Sequence, residues 1–504
     1  MISALRKDAR GVGSPALSWE RAYVLGVFLI FCFRVLYLLL PARCGDLEKA
    51  YGLLVIGALL GAYLSRRAFS DGRMAWLLLV WTAWVLISRW LNRDVYLFID
   101  GDMLLYALLG FLLFSAGLVA DGEGRLRLLR AVTLVYAGFF VLIALAGLFA
   151  AATNVSMCIS PENVWINVWK NGQITGLNAL SVHRLVAACR FYVAWALLLL
   201  ACFRTRRRGL RALCLLGMLI LHLAIALCFS RTTQICFSLT AGMLVFLLCW
   251  RRFRGGRGAR LALCAALFAA AFLLAYKSFT PCASLLTEVN RVAAPRFEQY
   301  YNGLEHKPDP ERFAIQSAAA AAAPTRRETA ARPRAALLGS NASRGEPQAT
   351  QFVDDRSVLG NWTLSERTLI WASVIPAVRD NPRILFIGRL SKGMMEVQNT
   401  YIQSSEYKPH MHNAYVQAFM LTGLPGLLIL IVWTICLLRR MLRAFFAGAG
   451  ELPLSTALLT LPLAGVLLYN MCEISIFPVV ECSGAVFFLL AGVLIAELRD
   501  AKAA

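Results

Sequence analysis

Pro409-His410-Met411-His412-Asn413-Ala414-Tyr415 is followed at once by an apolar run that contains Gly423-Leu424-Pro425-Gly426. The junction sets two imidazoles and an amide where a long polar segment re-enters a membrane. Histidine is the side chain best suited to move a proton near neutral pH. The start of a membrane helix is an unusual place to gather such groups without a use for them. The run itself, from about 413 to 438, reaches the roughly 17–25 residues that a bilayer crossing needs.

Runs of this kind recur near 20–40, 50–64, 74–90, 99–120, 129–151, 185–203, 210–229, 233–250, 261–279, 453–471 and 478–498, the second being short. The chain is 59% hydrophobic, above the balance of a soluble globular protein. No small-residue cleavage site follows the first run, so it reads as a span and not as a signal peptide. The expectation is an all-α polytopic membrane protein with about twelve transmembrane helices.

A formal charge of +22 invites a nucleic-acid reading, but the arginines stand at span ends. They cluster as Arg66-Arg67-Arg73, Arg125-Arg127-Arg130, Arg204-Arg206-Arg207-Arg208-Arg211, Arg251-Arg252-Arg254-Arg257-Arg260 and Arg439-Arg440-Arg443. With alternating spans and a cytoplasmic N-terminus, every cluster falls on one side, which is the positive-inside pattern. Both termini are then cytoplasmic, and no nucleic-acid partner is expected. Most of the fourteen cysteines lie in apolar spans, as small buried hydrophobes. Cys158 and Cys282 both fall outside and are able to pair on this topology.

The expected organisation is helices one to nine over 1–280, an external region over 281–412 between helices nine and ten, and helices ten to twelve over 413–504. Within the external region, about 316–351 is an alanine-rich Arg/Ala/Pro/Ser mixture without large apolar residues; it reads as a flexible insertion. Leu364, Arg367, Trp371, Val374 and Val378 recur at helical spacing, predicting an amphipathic surface helix over about 361–379. A moderate external loop lies near 152–183, and no region is rich in strands.

Several residues carry candidate chemistry. Ser230-Arg231-Thr232 sits between two apolar runs too long for one crossing, so the chain reverses there and sets Arg231 on the outer face, against the positive-inside trend. A snorkelling arginine is the plainer reading. Arg367 lies one turn before Trp371, which suits a headgroup-level anchor. At His412, a helix N-terminus and a neighbouring arginine both disfavour imidazolium, leaving the neutral form that a general base needs. Asn413 and Gln417, four apart, face one way and are placed to orient a substrate, with His410 as a neighbour. Helix capping by Asn413 is the alternative. Asp100-Gly101-Asp102 could hold a divalent ion on a diphosphate, although a solvated turn explains it as well. Asn470 and Glu473 near the last external turn give a similarly weak signal.

Taken together, these residues resemble the superfamily of bacterial O-antigen ligases and polymerases. The likeness runs over Arg367-x-x-x-Trp371, Asn381-Pro382, Gly388, His412-Asn413-Ala414-Tyr415 with Gln417, and Thr422-Gly423-Leu424-Pro425-Gly426, with the Ser230-Arg231 turn upstream. The chain departs from the family in Phe386-Ile387-Gly388-Arg389, where more glycine is usual, and in its alanine-rich insertion.

The resemblance implies a helical glycosyltransferase in the bacterial inner membrane, with its site facing the periplasm and no nucleotide-sugar fold. It implies an undecaprenyl-diphosphate-linked glycan as donor. The acceptor would be a lipid A core, another surface glycan or a protein hydroxyl. Inversion without metal or cofactor is the implied chemistry. Arg231 and Arg367 would bind the donor diphosphate, since guanidinium forks suit phosphate oxygens, and His412 would take the proton of the acceptor hydroxyl. The arginine–histidine set resembles the ligase branch better than the polymerase branch. A transporter or flippase for lipid-linked glycans is the main non-enzyme alternative. Its usual two halves with a central cytoplasmic link do not match an external loop between helices nine and ten.

Overall fold

The computed structural model describes residues 19–37, 73–93, 99–153, 167–170, 173–177, 184–253, 255–303, 364–401, 411–448, 450–474 and 482–503. In chain order the helices are α1 (Trp19–Tyr37), α2 (Arg73–Leu91), α3 (Ile99–Val119), α4 (Gly122–Thr153), α5 (Arg184–Arg204), α6 (Arg208–Leu227), α7 (Arg231–Arg252), α8 (Arg257–Lys277) and α9 (Phe279–Gly303). Four short helices follow, α10 (Leu364–Ala372), α11 (Val374–Asp380), α12 (Arg383–Ile387) and α13 (Leu390–Tyr401). The last three are α14 (Ala414–Phe446), α15 (Leu454–Asn470) and α16 (Cys482–Ala503).

Among the described residues, eight helices are long and apolar enough to cross a membrane, and shorter apolar helices occupy Arg21–Cys32, Ala107–Val119 and Leu454–Asn470. Helices therefore stand at eleven of the twelve expected positions. The short run near 50–64, the insertion near 316–351 and Cys158 lie outside the described residues.

The structure departs from the sequence expectation in four places. The loop near 152–183 carries an antiparallel hairpin of β1 (Asn167–Lys170) and β2 (Gln173–Leu177). Asp100 and Asp102 belong to the first turn of α3 and not to a loop. Helix continues past the ninth expected span, as α9, to Gly303. The surface helix is broken at Ser373 into α10 and α11 and is followed by α12 and α13. Pro376 accounts for the break, because its ring crowds the carbonyl four residues back, at Ala372, and it has no N–H to offer it.

Contacts sort the helix ends into two groups. At one end Arg125 pairs with Asp500, Arg204 reaches Glu497 and the Ser455 carbonyl, and Trp250 meets Phe446. At the other, Cys228 meets the Leu177 carbonyl, Tyr469 the Leu185 carbonyl, and Asn290 the Ala151 carbonyl. The described arginines of the clusters at 125–130, 204–211, 251–260 and 439–443 share the first end. Between the ends, Trp433 is fully buried against Phe114, Phe487 and Phe488.

α14 is bent where it matters for the site. Gly423 stands at φ 71° inside it, and Pro425 cannot donate to the Leu421 carbonyl. The freed carbonyls find donors elsewhere. Arg389 N bonds Met420 O at 2.7 Å, Trp84 Nε1 bonds Thr422 O at 2.7 Å, and the Ser88 hydroxyl lies 2.9 Å from Leu421 O. Gly388, at φ 68°, faces this bend. A β-carbon at Gly388 would run into the Leu421–Thr422 backbone, and one at Gly423 into the Phe386–Ile387 backbone. The two chains thus meet backbone to backbone, which docks α12 and α13 on α14.

Candidate functional site

α14 begins at Asn413, whose Oδ1 accepts from Tyr415 N at 2.9 Å and Val416 N at 3.1 Å, as an N-cap does. Its Nδ2 donates to the Met471 carbonyl at 2.8 Å, tying the cap to the turn after α15. Met411 is held from both sides. Its N–H donates to Gln417 Oε1 at 2.8 Å and its carbonyl accepts from Trp371 Nε1 at 2.8 Å. Asn413 and Gln417 are the pair whose spacing suits orienting a substrate, with capping as the alternative for Asn413, and Trp371 is the expected anchor beside them, within reach of the same substrate. Their bonded polar atoms fix the Met411–Asn413 turn, and Asn413 and Gln417 are buried.

That turn forces His412 into the left-handed region at φ 50°, a conformation costly for a residue with a β-carbon. Its Nδ1 lies 3.2 Å from Oε2 of Glu473. Oε1 of the same carboxylate receives Nη2 of Arg367. Glu473 is 5% exposed, so its charge is taken out of water, and the two partners offset that cost. A carboxylate only accepts, so the His412 proton that faces it sits on Nδ1, and a neutral ring then carries its lone pair on Nε2. Arg367 gives Glu473 one nitrogen of a five-donor fork.

Arg231 opens α7 at the same end of the bundle, behind the Ser230 cap, whose Oγ accepts from Thr233 N at 3.3 Å. The chain reverses at Cys228–Ser230, as expected. α7 packs along α15. The structure therefore joins Arg367 and His412 through Glu473 and sets Arg231 at the same end. His410 lies outside the described residues.

Beside the pair, burial pushes the Cys472 thiol up, with Arg367 acting against that and Glu473 with it. Further out, Tyr401 donates to Asp380 Oδ2 at 2.6 Å, fastening α13 to α11. That bond, with help from Arg379, holds the Asp380 carboxyl below the usual carboxylate range; the same bond raises the Tyr401 hydroxyl, with Arg379 acting against it. Among the described residues no group of three or more His, Cys, Asp or Glu side chains is disposed to hold a metal ion.

Glu473 is the residue that sequence reasoning undervalued. Its signal was an acid set directly against the apolar run of α15, where a carboxylate needs a partner. A search of curated proteins finds no match. Residues 215–431, which include Arg231, Arg367 and His412, match the family model described as O-Antigen ligase.

Proposed function

We propose that this membrane glycosyltransferase moves a glycan from an undecaprenyl-diphosphate carrier to an acceptor hydroxyl, on the extracytoplasmic face of the inner membrane. The observation that carries the reading is the single buried carboxylate of Glu473, which holds Arg367 and His412 together. It sets an anion-binding fork beside an oriented imidazole.

In this scheme Arg367 and Arg231 bind the donor diphosphate and stabilise the charge that grows on it as it leaves. His412 Nε2 takes the proton of the acceptor hydroxyl, and that oxygen forms a bond to the anomeric carbon. The bond from the anomeric carbon to the diphosphate breaks, its electron pair leaving with undecaprenyl diphosphate. Attack opposite the leaving group inverts the anomeric centre. Glu473 touches neither reactant; it is a positioning residue that fixes the His412 tautomer and steadies the imidazolium formed. An acceptor in the lipid A core makes the reaction a ligation.

Deletion of the gene followed by gel analysis of surface glycans tests the reading. Loss of every long chain from the acceptor is expected for ligation. Survival of a single repeat unit on the acceptor would assign polymerisation, and accumulation of untranslocated donor would assign transport. Normal product with His412→Ala at normal protein level would remove the base assignment.

A further inference from the structure

The end of the bundle opposite Glu473 is built around one tryptophan. The indole N–H of Trp250 reaches the Phe446 carbonyl at 3.3 Å, and its ring stands edge-on to the Phe446 ring at 5.7 Å. The Arg260 guanidinium lies over that indole at 3.9 Å and also bonds the Trp250 carbonyl. This knot joins the last turns of α7 and α14 to the start of α8.

The cations around it are short of acceptors. Nε and Nη2 of Arg251, and Nε of Arg260, are shut off from solvent and meet no hydrogen-bond acceptor among the described residues. Elsewhere at this end Nε of Arg125 and of Arg204 are likewise without an acceptor among the described residues, but each guanidinium meets a carboxylate through Nη2, Arg125 that of Asp500 and Arg204 that of Glu497, whereas Nη2 of Arg251 meets none. A guanidinium turned away from water without an anion is costly. The neighbouring face of α14 is apolar and exposed at Val432, Ile435, Leu442 and Phe446. Arg439 and Arg443 continue that face at helical spacing and are exposed.

We propose that this corner binds an anionic phospholipid, its phosphate against Arg251 and Arg260 and its acyl chains along the exposed stripe of α14. Placement favours a lipid over a free phosphate. The orphaned nitrogens lie where the last turn of α7 meets the first turn of α8, both apolar and span-length, with Arg260 against an aromatic ring of the kind found at headgroup level, and basic pockets between such helices suit acidic headgroups.

Native mass spectrometry of the detergent-purified full-length protein, incubated with phosphatidylglycerol or phosphatidylcholine, tests this. Phosphatidylglycerol should be retained preferentially, and Arg251→Gln and Arg260→Gln should each weaken it about fivefold. Arg206→Gln with Arg208→Gln, on exposed arginines of the same end, should leave retention unchanged. Equal retention of the two lipids by the unaltered protein would overturn the proposal, whatever the variants do. So would displacement of phosphatidylglycerol by inorganic phosphate, or retention by Arg251→Gln combined with Arg260→Gln that matches the parent.

Discussion

Oε2 of Glu473 stands 3.2 Å from Nδ1 of His412 although 61 residues separate them in the chain. The carboxylate also grips Arg367, so one buried acid sets the position of both a candidate base and a candidate diphosphate clamp. Removing its charge should therefore touch turnover before binding.

Glu473→Gln keeps the shape of the side chain and discards the charge. Turnover should fall on the order of a hundredfold, the scale of a mis-oriented general base, while KM for the acceptor changes little. Steady-state kinetics on purified protein with a lipid-linked donor separates the two. A KM effect with unchanged kcat would mean that Glu473 serves the binding surface and not His412.

His412 tests backbone and chemistry together. At φ 50° a residue with a β-carbon costs about 1–2 kcal/mol relative to glycine. His412→Gly should thus be more stable than His412→Ala by about 1 kcal/mol, and both should be inactive. Thermal unfolding in detergent measures the difference. An alanine variant equal to the glycine variant would show that the turn relaxes once the imidazole is gone.

Arg367→Lys keeps a positive charge near Glu473 but loses the planar fork. A point charge cannot grip the carboxylate and a diphosphate in the same geometry. The rate should drop by roughly tenfold to a hundredfold, and extra donor should not restore it. A normal rate would take Arg367 out of the site.

Much of this architecture was legible in the chain. Periodic apolar runs placed the helices, and the arginine clusters sorted their ends. The turn at Ser230-Arg231 followed from two runs too long for one crossing. The pairing of His412 with Glu473 was not legible, because a contact across a bundle leaves no local periodicity. For Asn413, Gln417 and Trp371 the structure adds a structural use, the holding of the Met411–Asn413 turn. Their spacing marked an important turn, but a polar side chain near a site reads alike in sequence whether it meets substrate or the carbonyl of Met411. The β1–β2 hairpin gave no alternating pattern strong enough to see over four or five residues. Pro376, which divides the surface helix, was readable and was overlooked.

The bend in α14 supplies the last prediction. Gly423 and Pro425 leave the Leu421 carbonyl without its helical donor, inside a buried stretch. Ser88 on α2 supplies one at 2.9 Å and also approaches the Ile387 carbonyl, which Asn92 Nδ2 already reaches at 3.1 Å. A hydroxyl has one proton to give, so with Asn92 covering Ile387 the Ser88 proton belongs to Leu421. Ser88→Ala should orphan that carbonyl and cost about 1–3 kcal/mol. Removing Asn92 as well should cost more than the two single changes added together, since each can partly cover Ile387 for the other. Ile87→Ala, one residue away and exposed, should do little. Thermal unfolding of the four variants in detergent checks this. Strict additivity, or a Ser88→Ala midpoint equal to that of the parent, would mean that the bend is held by the Gly388–Gly423 contact alone.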